Sequence, residues 1–135
     1  MKRSMLGSVN VLVGLSLITV LSACSPTPSS PMELTTKDSG SHRTLAVGQQ
    51  LTVSLDSNPS TGYRWALDGA LPGTLQQVGA PKYTDTSHAL GGGGTEVWTF
   101  KAIAKGSGSL KLKYWRSFEP TATPPDSFEL AIDVR

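Results

Sequence analysis

From Leu34 to the C-terminus, apolar side chains recur at every second position in short runs. Leu51, Val53 and Leu55 alternate with Thr52 and Ser54; Tyr63, Trp65 and Leu67 repeat the pattern, as do Trp98, Phe100 and Ala102. Leu110, Leu112 and Tyr114 alternate with Ser109, Lys111 and Lys113, which places the lysines toward water. The last run is the clearest, with Phe128, Leu130, Ile132 and Val134 on one face and Glu129, Asp133 and Arg135 on the other. A period of two sends alternate side chains to opposite faces of a strand, so each run predicts a half-buried β-strand. No stretch carries a helical stripe. Turn-forming clusters separate the runs: Val47-Gly48-Gln49, Asn58 to Gly62, Leu71-Pro72-Gly73, Gly91 to Gly94, Lys105 to Gly108 and Thr123 to Asp126. Seven to eight short strands with this punctuation predict an all-β, immunoglobulin-like β-sandwich, with a small barrel as the alternative.

The N-terminus follows a different pattern. Lys2 and Arg3 precede an uncharged apolar run from Val9 to Val20, followed by Leu21-Ser22-Ala23-Cys24. A basic start, a short apolar segment and small residues before a cleavage point make a secretory signal, too short for a comfortable membrane-spanning helix. The tetrapeptide ending in Cys24 resembles the lipobox of bacterial lipoproteins, in which the cysteine is acylated and becomes the first mature residue. An ordinary signal peptide with a chance cysteine is the competing reading. The expected organisation is therefore a signal peptide over 1–23, a Pro/Ser-rich linker over 24–32 and one domain over 33–135. Proline-rich chain extends by about 3.1 Å per residue, so the linker would hold the domain roughly 25–30 Å from the bilayer. The expected location is the cell envelope, lipid-anchored through Cys24, on the outer membrane if the cell is Gram-negative.

Composition now sharpens the picture. The formal charge of the 135-residue chain is +2, but Lys2 and Arg3 leave with the signal, so residues 24–135 carry ten basic and ten acidic side chains. The basic balance thus points to no nucleic-acid partner, and no aromatic-interleaved basic stripe is present. The single cysteine excludes an intrachain disulfide, a thiolate metal cluster and a Cys–His nucleophile within the domain. His42 and His88 lie in polar, loop-like contexts without metal-ligand spacing. The Gly91–Gly94 tract is followed by Thr95-Glu96, where a phosphate-cradling loop needs Lys-Ser/Thr, and it leads into a strand. No catalytic constellation assembles, and the chain is expected to be a non-enzyme without cofactor or metal.

What remains is three loops richer than turns require. In Asn58-Pro59-Ser60-Thr61-Gly62-Tyr63, proline fixes its own φ and biases Asn58 toward extended backbone, while Gly62 permits a positive φ. Gly91, Gly92, Gly93 and Gly94 leave backbone open to close approach by another chain. Trp115, Arg116, Ser117 and Phe118 place aromatics and an arginine, typical interface anchors, at a strand end. Singly, each has a bland reading, as a turn, a flexible connection or a plug for the end of the core. Taken as the B–C, D–E and F–G connections of a sandwich, they cluster at one end.

In that order, Asn-Pro-Ser-Thr-Gly-Tyr, Gly-Gly-Gly-Gly-Thr-Glu and Arg-Ser-Phe resemble the motifs of the chagasin-type inhibitors of papain-like cysteine peptidases. Those motifs are Asn-Pro-Thr-Thr-Gly-Tyr/Phe, Gly-x-Gly-Gly and Arg-Pro-Trp/Phe, and the resemblance covers residues 33–135. Ser60 stands in place of a threonine, which keeps the hydroxyl, and Ser117 in place of a proline, which removes some preorganisation. The resemblance implies a monomeric, reversible, tight-binding inhibitor whose first loop enters the cleft of a papain-like cysteine peptidase, with Thr61 nearest the catalytic pair. It places the glycine loop on one side, and Arg116 and Phe118 on the other. A non-enzymatic envelope module for binding or adhesion is the alternative; it fits the lipobox but leaves the loop motifs unexplained.

Overall fold

The computed structural model describes residues 29–135, together with residues 14 and 18. The expected export signal and Cys24 lie outside them. Nine strand segments follow one another: β1 (Met32–Thr35), β2 (Ser41–Leu45), β3 (Gln50–Ser57), β4 (Arg64–Leu67), β5 (Leu75–Gln77), β6 (Lys82–Asp85), β7 (Gly94–Ala102), β8 (Gly106–Trp115) and β9 (Asp126–Val134). One sheet runs β1-β3-β7 and ends on β5 and β6; the other runs β2-β9-β8-β4. β5 pairs with the Phe100–Ala102 end of β7 and β6 with its Gly94–Val97 end. Between them the Val78 amide donates to the Thr99 carbonyl at 2.8 Å. The two segments are thus one interrupted edge strand, and the sandwich has eight strand positions, four to a sheet.

The alternation read along the chain is the layering of the core. Leu51, Val53, Leu55, Trp98, Phe100 and Ala102 line the inner face of the first sheet, and Leu110, Leu112, Phe128, Leu130, Ile132 and Val134 that of the second, all buried. Lys111 and Lys113 face outward, in ion pairs with Glu129 and Asp68. The N-terminal segment is shared between the sheets: β1 runs parallel to β3 and β2 parallel to β9, while every other pairing is antiparallel. A 3-10 turn, Thr36–Asp38, carries the chain across. Its Asp38 carboxylate accepts from the Thr35 amide at 2.8 Å and from the Arg43 guanidinium at 2.9 Å, tying the end of β1 to β2.

His42 differs from its expected loop setting. It stands on β2, where its Nε2 lies 3.0 Å from the Asp133 carboxylate on β9. The segment Ser41–Leu45 lacks apolar alternation because only Leu45 is fully buried; backbone pairing to β9 makes it a strand. His88 does lie in a loop, with a φ of 52°.

Two carboxylates give the fold an acid dependence. The Thr35 amide, assisted by Arg43, holds Asp38 below the usual aspartate range. The Ser107 hydroxyl, assisted by His42, does the same for Asp133. A carboxyl whose folded pKa is depressed stabilises the fold above its unfolded value of about 3.9, and that contribution is lost as pH falls through the folded value. The urea midpoint is therefore expected to fall as pH drops below about 4. In the Asp38→Asn/Asp133→Asn double variant that fall should be visibly shallower.

Candidate functional site

The connection from β3 to β4 takes the chain from one sheet to the other, and three successive residues at its base are each held from a different strand. The Asp56 carbonyl accepts from the Trp65 indole of β4 at 2.9 Å. The Ser57 hydroxyl donates to the Glu96 carboxylate of β7 at 3.3 Å. The Asn58 amide donates to the Tyr114 hydroxyl of β8 at 2.7 Å. Tyr114 stacks against Tyr63 and tilts against Trp65, with ring centroids 5.2 and 5.1 Å apart. The loop therefore stands on an aromatic platform built from its own C-terminal flank and from β8.

Above this base the loop closes on itself. Pro59–Thr61 form a 3-10 turn, and Gly62 ends it with a φ of 82°, where a side chain would be strained. The Thr61 and Gly62 amides donate to the carbonyls of Asn58 and Pro59 at 3.1 and 3.0 Å. The Thr61 hydroxyl donates to the Asn58 carbonyl at 2.6 Å, and the Ser60 hydroxyl to the Asn58 side chain at 2.6 Å. The Asn58–Pro59 bond is trans, since no peptide bond among the described residues is cis.

The other two connections brace this loop from either side. On one side the Asn58 side-chain amide donates to the Gly91 carbonyl at 3.1 Å. On the other, Arg116 Nε donates to the Thr61 carbonyl at 3.0 Å. The Arg116 guanidinium also lies 4.2 Å over the Tyr63 ring, a cation–π contact of about 0.5–1 kcal/mol at an exposed site. A Cβ on Gly62 would come within 3.0 Å of the Phe118 ring, so the third loop packs directly on the first. Residues 116–119 form a turn closed by the Glu119 amide on the Arg116 carbonyl at 3.1 Å. Ser117 occupies the position of that turn where proline is favoured.

Of the four glycines, Gly92 and Gly94 are sites where a side chain would collide within the fold itself. A Cβ on Gly94 would lie 2.1 Å from the Thr84 carbonyl and 2.7 Å from the Tyr83 hydroxyl; one on Gly92 would strike the Ser87 side chain at 1.7 Å. Gly93 lies against the Ser57 carbonyl, and Gly91 has a φ of 72°. The tract is therefore a close-packed seam between β6 and the first loop. Trp115 stands apart from the cluster. It ends β8 on the outer face of its sheet, where the Lys113 ammonium sits 4.7 Å from its ring.

The sequence reading missed two residues here. Leu90, at the tip of the second loop beside Gly91, is fully exposed (108%); an apolar residue entering a glycine tract was the available signal. Glu96 is buried, at 5% exposure; its place on the inward phase with Trp98 and Phe100 was the signal. Among the described residues, no group of three or more His, Cys, Asp or Glu is placed to hold a metal.

The sequence profile described as "Chagasin family peptidase inhibitor I42" matches residues 44–132, a span that includes all three loops. The chain belongs to the chagasin family. Chagasin of Trypanosoma cruzi is 32% identical over 107 residues, which cover 74% of this chain and 94% of that protein. Among solved structures, the cysteine protease inhibitor EhICP2 from Entamoeba histolytica aligns with a TM-score of 0.67 at 21% identity, over 78% of this chain and 96% of that one. PbICP-C, solved in complex with falcipain-2, aligns with a TM-score of 0.52 at 20% identity, over 81% and 95%. These two establish the shared fold. As a chagasin-family member, the chain is a peptidase inhibitor and not an enzyme.

The glycine seam gives a graded test. Gly91→Ala meets no neighbour and is expected to cost about 1–2 kcal/mol, from the positive φ alone. Gly94→Ala must displace β6 and should cost at least the roughly 1–3 kcal/mol of an overpacked core. Urea midpoints of the two variants should fall in that order.

Proposed function

We propose that this domain is a reversible, tight-binding inhibitor of papain-like cysteine peptidases, with the loop of residues 58–63 as the central wedge. The observation that carries this reading is the bracing of one uncharged loop by two others at a single end of the sandwich. The two structural relatives described above support it, one a cysteine protease inhibitor and the other bound to falcipain-2. Pro59, Ser60, Thr61 and Gly62 enter the cleft, with Thr61 nearest the catalytic pair. Gly91–Gly94 and Leu90 lie along one wall, and Arg116, Ser117 and Phe118 along the other; Phe118 is 66% exposed. Asn58 and Tyr63 hold the wedge in shape, and Trp115 borders the third loop from the sheet face. A wedge already folded loses little entropy on docking, which is how an interface of standard size becomes tight. The 3-10 turn also withholds the extended backbone that a peptidase cleaves, so the loop occupies the cleft without being a substrate.

The same proposal places the domain on a lipid anchor at Cys24, in the cell envelope. Met32 pairs with Leu51 at the start of β3, whereas the wedge follows Ser57 at its far end. A linker reaching Met32 thus meets the domain at the pole opposite the loops, and the wedge faces away from the bilayer.

Purified residues 25–135 are expected to inhibit papain stoichiometrically at micromolar concentration or below; no inhibition there would remove the reading. Thr61→Arg should weaken inhibition by at least about 30-fold, as for a hot spot, and Phe118→Ala by about fivefold. Ser117→Pro should tighten inhibition by about two- to fivefold, since it fills the favoured position of its turn. If Thr61→Arg inhibits as well as the parent, the central loop is not the wedge. For the anchor, the full chain expressed in a Gram-negative host should incorporate radiolabelled palmitate and sediment with membranes. Cys24→Ser should abolish both.

A further inference from the structure

The wedge is fixed at its foot by a group that fold stability alone does not call for. Glu96 is the one charged side chain in the core among the described residues, and it makes no ion pair there. It faces inward from β7, opposite Leu55 of β3 on one side and Tyr83 of β6 on the other. Its two oxygens are divided between two donors. Oε1 accepts from the Trp98 indole at 3.1 Å and Oε2 from the Ser57 hydroxyl at 3.3 Å. Trp98 and Ser57 are buried as well, at 5% and 4% exposure. A carboxylate in such a place is costly, and well-packed apolar replacements of buried charged groups are often neutral or stabilising. What an apolar residue cannot supply is a directed bond to Ser57, the last residue of β3 before the wedge.

We propose that Glu96 is a positioning residue for the inhibitory loop, acting through Ser57. By fixing the Ser57 side chain from below, it sets the direction in which Asn58 leaves β3. The Asn58 amide then meets the Tyr114 hydroxyl, and the Pro59–Thr61 turn stands formed before any peptidase arrives. Releasing Ser57 lowers the fraction of molecules whose loop is competent, and apparent affinity falls by that fraction. The consequence for inhibition rests on the function proposed above; the consequence for loop order does not.

The test therefore reads both. In the free domain, amide hydrogen exchange at Thr61 and Gly62 reports the order of the loop, since these amides close its 3-10 turn. Glu96→Leu is expected to speed exchange there at least tenfold relative to core amides of β8 and β9, and to weaken papain inhibition at least tenfold. Glu96→Gln, which keeps an acceptor for Trp98 and a polar partner for Ser57, should restore both to within about twofold of the parent. Ser57→Ala leaves the Glu96–Trp98 bond intact and should move in the same direction as Glu96→Leu, so it decides the matter if that variant does not fold. Unchanged exchange at Thr61 and Gly62 in Ser57→Ala overturns the proposal, as does acceleration spread evenly over the core. If exchange responds as expected while the parent does not inhibit papain, the positioning role stands and the peptidase reading falls.

Discussion

Between Asp56 and Arg64 the chain leaves one sheet and enters the other, and what the domain presents to a partner depends on how firmly that crossing is held. A connection between sheets has no ladder to satisfy its backbone, so its polar groups need side-chain partners or water. Here the backbone partners are Trp65, Tyr114 and Arg116, drawn from β4, β8 and the loop that follows β8, while Glu96 of β7 holds the Ser57 hydroxyl. Three of these four are side chains of strands whose other residues build the core, so the precision of the loop is inherited from the packing below it. Loop order and fold order are in this sense one property.

The glycine tract contributes to the same end. Glycine is commonly associated with freedom, yet Gly92 and Gly94 are places where any side chain would collide with a neighbour within the domain. Close approach of β6 to β7 at Gly94 sets the Tyr83 ring against that glycine. Desolvation, with Asp85 and Tyr114 adding to it, holds the Tyr83 phenol above its usual pKa. The second loop can then rest against the first, with the Gly91 carbonyl available to Asn58.

The two-residue period revealed the strands that carry the core, because β3, β7, β8 and β9 each bury one complete face. It was silent where burial is partial. β2 places only Leu45 fully inside, and all four residues of β6 are exposed; both are strands because a neighbour's backbone is free to pair. The three loops were legible as a set, since Pro59, Gly62 and the glycine tract each restrict or require particular backbone. The role of Arg116 inside the cluster was not legible. An arginine beside two aromatics reads as a contact for a partner, and only the fold shows that it first clasps Thr61. Trp115 gave the opposite difficulty: its type suggested the interface, but its odd position relative to Leu112 and Tyr114 turns it onto the outer sheet face.

One topological feature reaches beyond the single domain. β1 begins, and β9 ends, at the pole away from the loops: Met32 pairs with the first residues of β3, and Val134 lies beside Leu45 and Gly106. Strand order thus sets the pole that carries the three loops away from the start of β1 and the end of β9. The attachment points at Met32 and Val134 lie about a strand's length, some 30 Å, from the three loops. Such a domain is modular in the evolutionary sense, because its address and its attachments are free to change without any residue of the three loops having to follow.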